Sequence, residues 1–276
     1  MTSSQIDVEE LNGLLGKGSV KILDGSWDLG GADMKTAFRK AHIPTAQFFD
    51  LDAVSDHSID LPHMAPSPAQ FAEAVGKLGI SESDHVVIYD QQGLFSAARI
   101  WWTFKLMGHH KVQILKGGLP AWRGLSAPLT DEISAPTFKS YKANYNADLI
   151  VKIYDLSAQI GINGFMIFDA RSRARFHGAA PEPRPGLISG HIPQSHSLPF
   201  DQLLENGQLR PVSDLKSIFD HMGLTPDQTA VTTCGSGVTA AIIALALHEI
   251  GHKHIKLYDG SWAEWGQPHL NMPVNI

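Results

Sequence analysis

The chain has 276 residues, 43% hydrophobic and 18% charged, with a formal net charge of −6 at pH 7. That is the balance of an ordinary globular protein with a mild acidic excess, and it offers no basic face of the kind that holds nucleic acid. No stretch reaches the roughly 18 apolar residues of a membrane helix, the N-terminal residues show no signal pattern, and the single cysteine rules out an internal disulfide or a multi-cysteine metal centre, so a cytoplasmic protein is expected.

Taken in chain order, the predicted elements come twice. A short strand ends in Asp at Ile22 to Asp24, and a loop with a His-Ile-Pro turn follows in "AHIPTAQFFDLD" (41–52). Phe71, Val75 and Leu78 then mark the apolar face of a helix, which stops at Gly-Ile-Ser. The strand "HVVIY" leads through the tight loop "YDQQGLFSAAR" into the helix "SAARIWWTFKLMG", and the strand "VQILKGG" closes the copy. A stretch rich in Ser, Pro, Ala and Lys (125–146) reads as a linker.

The second copy repeats the order: a strand at Met166 to Asp169, "GHIPQSHSLPFD" (190–201), and a helix spaced by Leu215, Ile218, Phe219 and Met222. The strand "TAVTT", the loop "TCGSGVTAAI", an apolar helix from about Val238 and the strand "IKLYDGS" complete it. Self-similarity of this length means tandem domains, here 1–124 and 147–276 joined by 125–146. Strands alternating with helices predict an α/β fold, each domain a mostly parallel sheet flanked by helices. The fourteen histidines include no HExxH pair, and "GHH" (108–110) and "GHKH" (251–254) sit in turn-like contexts, so no metal site is expected.

Ligands of a parallel sheet bind beyond the carboxyl ends of its strands. At that place the first copy has Asp90 and the second has Cys234, so thiol chemistry is open to one copy only. A strand-to-helix turn of small residues aims backbone N–H groups and a helix dipole at its first residue, which favours a thiolate. Gly235 and Gly237 let the backbone curl around the sulfur, and Ser236 and Thr239 add hydroxyls. Two readings of Cys234 stand at this point, a nucleophile or an inert small hydrophobe at a strand end. The C-x5-R phosphatase pattern fails because Ala240 stands at the arginine position, and the short loop suits attack on sulfur better than a grip on phosphate.

With these residues the chain resembles the tandem-domain sulfurtransferases of the rhodanese superfamily, and "CGSGVTA" resembles the loop of their 3-mercaptopyruvate branch. "FRKAHIPTAQFFD" and "YDGSWAEW" are similar to the two signature segments, and "LPHM", "DARSRARF" and "PEPRPG" fit the same branch. Thr45 and Gln194 depart from it, standing where the family has glycine after each His-Ile-Pro.

The resemblance implies a sulfurtransferase that moves sulfur from 3-mercaptopyruvate through a Cys234 persulfide to an external thiol such as thioredoxin, or to cyanide, with no cofactor. It implies Arg175 and Arg184 as substrate clamps, suited by their planar forks to a carboxylate, with Gly235, Gly237, Val238 and Thr239 lining the substrate. It further implies a proton relay of Ser236, His42 and Asp33, against which stands the reading that His42 only braces its turn as His191 does in the other copy. His63 of "LPHM" is a candidate for the cleft lining. Arg171 reads equally as an ion-pair partner of Asp169 and as a substrate contact, Arg173 as a surface charge, and Trp101, Trp102, Trp122, Trp262 and Trp265 as packing. Asp90 reads as the relic of a nucleophile. The rival functions are a thiosulfate:cyanide sulfurtransferase and a non-catalytic binding pair.

Overall fold

The computed structural model describes residues 3–18 and 20–276. They form two compact units, the first made of the chain up to Asp56 with Ala65–Asn146 and Asn206–Leu209, the second of His57–Met64, Ala147–Glu205 and Arg210–Ile276. Each unit carries a five-stranded sheet whose strands all run parallel.

In the first unit the strands are β1 (Gln5–Ile6), β2 (Val20–Asp24), β3 (Gln47–Phe48), β4 (His85–Tyr89) and β5 (Val112–Leu115), in the order β1-β5-β4-β2-β3. Its helices are α1 (Val8–Leu14), α2 (Met34–Lys40), α3 (Leu51–Val54), α4 (Pro68–Lys77), α5 (Ala97–Leu106) and α6 (Gly118–Gly124). Strand β4 is central, and Val86 to Tyr89 are all fully buried, as a strand covered on both faces requires. Val87 and Tyr89 join Ile22, Phe38, Leu115 and Trp122 in one core cluster, while the two-residue alternation turns Val86 and Ile88 to the opposite face. Helix α4 starts where the sequence "SPAQ" dictates: Ser67 and Gln70 form a reciprocal capping box around Pro68.

In the second unit β6 (Ile150–Val151), β7 (Phe165–Asp169), β8 (Ser195–Ser197), β11 (Thr229–Thr233) and β12 (Ile255–Tyr258) take the order β6-β12-β11-β7-β8, the same topology. A short strand β9 (Leu204–Glu205) follows β8, and the next one along the chain, β10 (Gln208–Leu209), falls in the stretch that belongs to the first unit. The helices are α7 (Ile153–Ser157), α8 (Arg173–Phe176), α9 (Val212–His221), α10 (Ala240–Glu249) and α11 (Ser261–Trp265). Ala240 to Leu247 of α10 are all buried, so this helix is apolar all round because protein surrounds it.

The segment 125–146 is not a free linker. It is an ordered strap of the first unit, because its polar backbone groups find main-chain partners there. Thr130 exchanges two backbone hydrogen bonds with His42, and Asn144 and Asn146 N–H donate to the carbonyls of Met107 and Leu106. Gly108 has no side chain because the strap lies on it: a Cβ there would come within 2.5 Å of the Asn144 carbonyl. Tyr141 stacks on His109 and meets its Nδ1 at 3.1 Å.

Candidate active site

The turn that follows β11 begins with Cys234, which is 2% exposed, and six residues later α10 starts at Ala240. The loop is tied to the start of α11 by two backbone bonds, from Trp262 N–H to the Cys234 carbonyl and from Ala263 N–H to the Gly235 carbonyl, both 2.9 Å. The N–H of Cys234 donates to Ser261 Oγ at 3.2 Å. Gly237 takes φ +80°, a backbone state open to glycine at no cost, and this lets the loop turn back over the cysteine.

Ser236 is 5% exposed, and its hydroxyl lies 2.9 Å from Nδ1 of His63, itself 6% exposed. Nη2 of Arg184 donates to the same hydroxyl at 3.4 Å. In the tautomer with Nδ1 unprotonated the serine hydroxyl can donate to the ring, an arrangement able to pass a proton between the two. The backbone of His63 stands at φ +59°. A non-glycine residue held in the left-handed region stores strain of the kind that gathers at functional sites.

Behind this cluster runs a buried charge network. Glu182 accepts from Arg171 Nη1 at 2.7 Å and from Arg175 Nη2 at 2.5 Å and Nε at 3.3 Å. Arg171 also grips Asp169 through Nε and Nη2 and lies over the Trp262 ring, 4.2 Å from its centroid. With every arm committed and its side chain 1% exposed, Arg171 is an ion-pair residue, one of its two expected roles. Arg175 differs, with 19% of its side chain exposed. Its Nη2 lies where it would be 2.9 Å from a Cβ on Gly235, so the bare glycine is what lets the guanidinium sit against the cysteine loop. Arg173 is exposed, as expected.

The two residues expected to complete the relay, His42 and Asp33, are found in other hydrogen bonds. His42 is fully buried in the first unit, its Nδ1 2.7 Å from the Phe38 carbonyl and its ring stacked on Phe38 at 4.0 Å. His191 does the same in the second unit, with Nδ1 3.0 Å from the Phe176 carbonyl and its ring stacked at 3.9 Å. Each also pairs its backbone with a later segment, His42 with Thr130 and His191 with Asn275. Both are braces of the His-Ile-Pro turn. Asp33 is an exposed N-cap of α2, its carboxylate accepting from Thr36 N–H and hydroxyl at 2.9 and 2.6 Å, and these bonds hold its carboxyl below the usual range. The histidine at Ser236 is His63.

Thr45 and Gln194, at the two glycine positions of the turns, stand at φ +70° and +63°, so the turn geometry is kept at a strain cost. Asp90, in the place of Cys234, is 1% exposed and turned into its own loop, accepting from the N–H groups of Gln92, Phe95 and Ala97 at 2.9, 2.7 and 3.0 Å. Burial pushes its carboxyl up while these N–H groups pull it down. The five tryptophans are buried as expected, with Trp122, Trp262 and Trp265 donating their indole N–H to backbone carbonyls.

The rhodanese-like domain matches the chain twice, at residues 7–125 and 152–268. The protein named 3-mercaptopyruvate sulfurtransferase in Escherichia coli K12 is 41% identical over 237 residues, covering 86% of this chain and 84% of that protein. The Arabidopsis thaliana protein named thiosulfate/3-mercaptopyruvate sulfurtransferase 1, mitochondrial, is 40% identical over 292 aligned residues, 96% of this chain and 76% of that protein. The crystal structure of SseA from E. coli, described as showing the rhodanese fold and catalytic mechanism of 3-mercaptopyruvate sulfotransferases, superposes with a TM-score of 0.87 at 35% identity, covering 95% of this chain and all of that one. With both halves matched and the whole topology shared, the chain belongs to the rhodanese family.

Proposed function

We propose that the protein is a 3-mercaptopyruvate sulfurtransferase in which Cys234 carries the sulfur. The thiolate attacks the donor sulfur, an S–S bond forms, and the C–S bond breaks with its electron pair left on carbon as the enolate of pyruvate. Protonation of that carbon releases pyruvate and leaves a Cys234 persulfide. The outer sulfur then passes to an external nucleophile, either a thiol, with a dithiol protein such as thioredoxin as acceptor, or cyanide, which leaves as thiocyanate.

The observation that carries this reading is the gathering, in one unit, of Cys234, the Ser236–His63 pair and the guanidinium groups of Arg175 and Arg184. The two arginines receive the carboxylate and carbonyl of the donor, and positive charge there stabilises the enolate as it forms. Ser236 with His63 delivers the proton. Gly235, Gly237, Val238 and Thr239 form the wall of the donor site, and Glu182 holds Arg175 in place.

The Arabidopsis relative's name carries a second donor, thiosulfate, which defines the alternative. The uncharged Gly235 and Ser236 after the cysteine favour the monoanionic organic donor over a dianion, and catalytic efficiencies on both donors decide between them. A reduced thiol nucleophile with a thiol acceptor suits a reducing compartment, and cytoplasmic residence is part of the proposal. Among the described residues no helix is long and apolar enough to cross a membrane. The test is pyruvate release by the wild type and by Cys234→Ser: the variant is expected to release none, and retained activity would defeat the assignment.

A further inference from the structure

The two copies share one turn and differ in one side chain there. "KGGLPAW" (116–122) aligns with "DGSWAEW" (259–265), which sets Gly118 against Ser261. Both residues are left-handed, at φ +53° and +50°. Both turns make the same tie at 2.9 Å, from Leu119 N–H to the Asp90 carbonyl and from Trp262 N–H to the Cys234 carbonyl. The first copy uses glycine, which adopts this state freely, and has no room for more: a Cβ on Gly118 would come within 2.4 Å of the Asp90 carbonyl oxygen and 2.7 Å of that of Gly93.

The second copy keeps a serine in a conformation that strains any L side chain, and the turn itself does not explain it, since glycine makes the same turn in the first copy. What the serine adds is its hydroxyl. Fully buried, Ser261 Oγ accepts from Cys234 N–H at 3.2 Å and donates to the Tyr258 carbonyl at 2.9 Å, bridging the end of β12 to the residue that bears the thiol.

We infer that Ser261 is a positioning residue for the sulfur transfer, fixing the Cys234 peptide so that its side chain is aimed at the donor and then at the acceptor. The inference rests on the sulfurtransferase reading. Its leverage grows in the second half-reaction, because the persulfide puts the reacting sulfur one bond further from Cα, where a small rotation of the peptide becomes a larger displacement.

The experiment compares Ser261→Gly, which removes the hydroxyl and relieves the strain, with Ser261→Ala, which removes the hydroxyl and keeps the strain. Steady-state pyruvate release is normalised to Cys234 thiol titrated in each preparation, so that misfolded protein does not count. Loss of one neutral hydrogen bond at the nucleophile is expected to lower kcat per thiol about 5- to 10-fold in both variants, with KM for 3-mercaptopyruvate within about twofold because the buried Ser261 hydroxyl is committed to Cys234 N–H and the Tyr258 carbonyl. Wild-type kcat per thiol in Ser261→Gly overturns the inference. If the wild type itself releases no pyruvate, the functional reading fails alone. The role of Ser261 is then judged by the rate of iodoacetamide alkylation of native Cys234, which is expected to fall in both variants and overturns the inference if it does not.

Discussion

Gly235→Ala isolates the arrangement of the arginine beside the cysteine loop. The φ of Gly235 lies outside the left-handed region, so alanine fits the backbone, and losing a glycine at a compatible position stabilises a fold by about 0.4–1 kcal/mol. The added methyl, however, would stand 2.9 Å from Arg175 Nη2, inside van der Waals contact. That nitrogen is held by Glu182 at 2.5 Å, and Glu182 is held in turn by Arg171, so the guanidinium cannot clear the methyl without giving up its anchor or its place at the loop. If Arg175 binds the donor carboxylate, the loss is that of a charge-assisted bond, about 1.5–3 kcal/mol, or about ten- to a hundredfold in KM for 3-mercaptopyruvate. The assay is steady-state pyruvate release beside a thermal melt. The expected pair of results is a raised KM with an unchanged or slightly higher Tm. Wild-type KM in Gly235→Ala would show that the guanidinium does not need this bare glycine.

Other expectations follow from the same geometry. Thr45→Gly should raise stability by roughly 0.5–1 kcal/mol, since a β-branched residue at φ +70° gives way to one that adopts it freely; Gln194→Gly should gain less, because it loses the bond from Gly161 N–H at 2.8 Å, and thermal or urea unfolding reads both. His42→Ala and His191→Ala should each cost on the order of 1–3 kcal/mol while leaving turnover per folded molecule unchanged, whereas His63→Ala should lower turnover about a hundredfold or more with a small change in Tm. His109 is buried between Tyr141 and the Asp84 carbonyl, and burial holds its pKa below 6.5. Between the folded and unfolded pKa the unfolded chain binds the extra proton, so this contribution to stability is complete above about pH 6.5 and is lost as pH falls toward the folded value. The fall in Tm between pH 7.5 and 5.5 should be shallower in His109→Gln, and an equal slope would contradict the assignment.

Much of the fold was legible because its central elements carry strong local signals. "HVVIY" and "TAVTT" are runs rich in β-branched residues bounded by turn residues, and they are β4 and β11 to the residue. The edge strands β1, β3, β6 and β8 were not legible, since two or three residues have no period and become strands through the partner that bonds them. The composition of 125–146 reads as a linker, and it is long-range partners such as the carbonyls of Gly76, Leu106 and Met107 and the backbone of His42 that make it a strap.

In the candidate site, Cys234, Ser236 and the arginines stand out through their motifs, but the histidine does not. Ser236 and His63 are 173 residues apart, and no local pattern connects them. The repeat held the missing signal. A histidine that both copies carry, such as His42 with His191, serves something both copies need, and here that is the turn. His63 has no counterpart in the matching stretch 201–215, as befits a residue tied to the one copy with a thiol.

On the proposed function, Cys234 takes sulfur from 3-mercaptopyruvate as a persulfide. The most direct measurement mixes the protein with the donor in the absence of acceptor, then determines the mass of the Cys234 peptide and the pyruvate released in one turnover. A gain of one sulfur on that peptide and one pyruvate per Cys234 is expected. Pyruvate released with Cys234 unmodified, or no pyruvate at all, would contradict it.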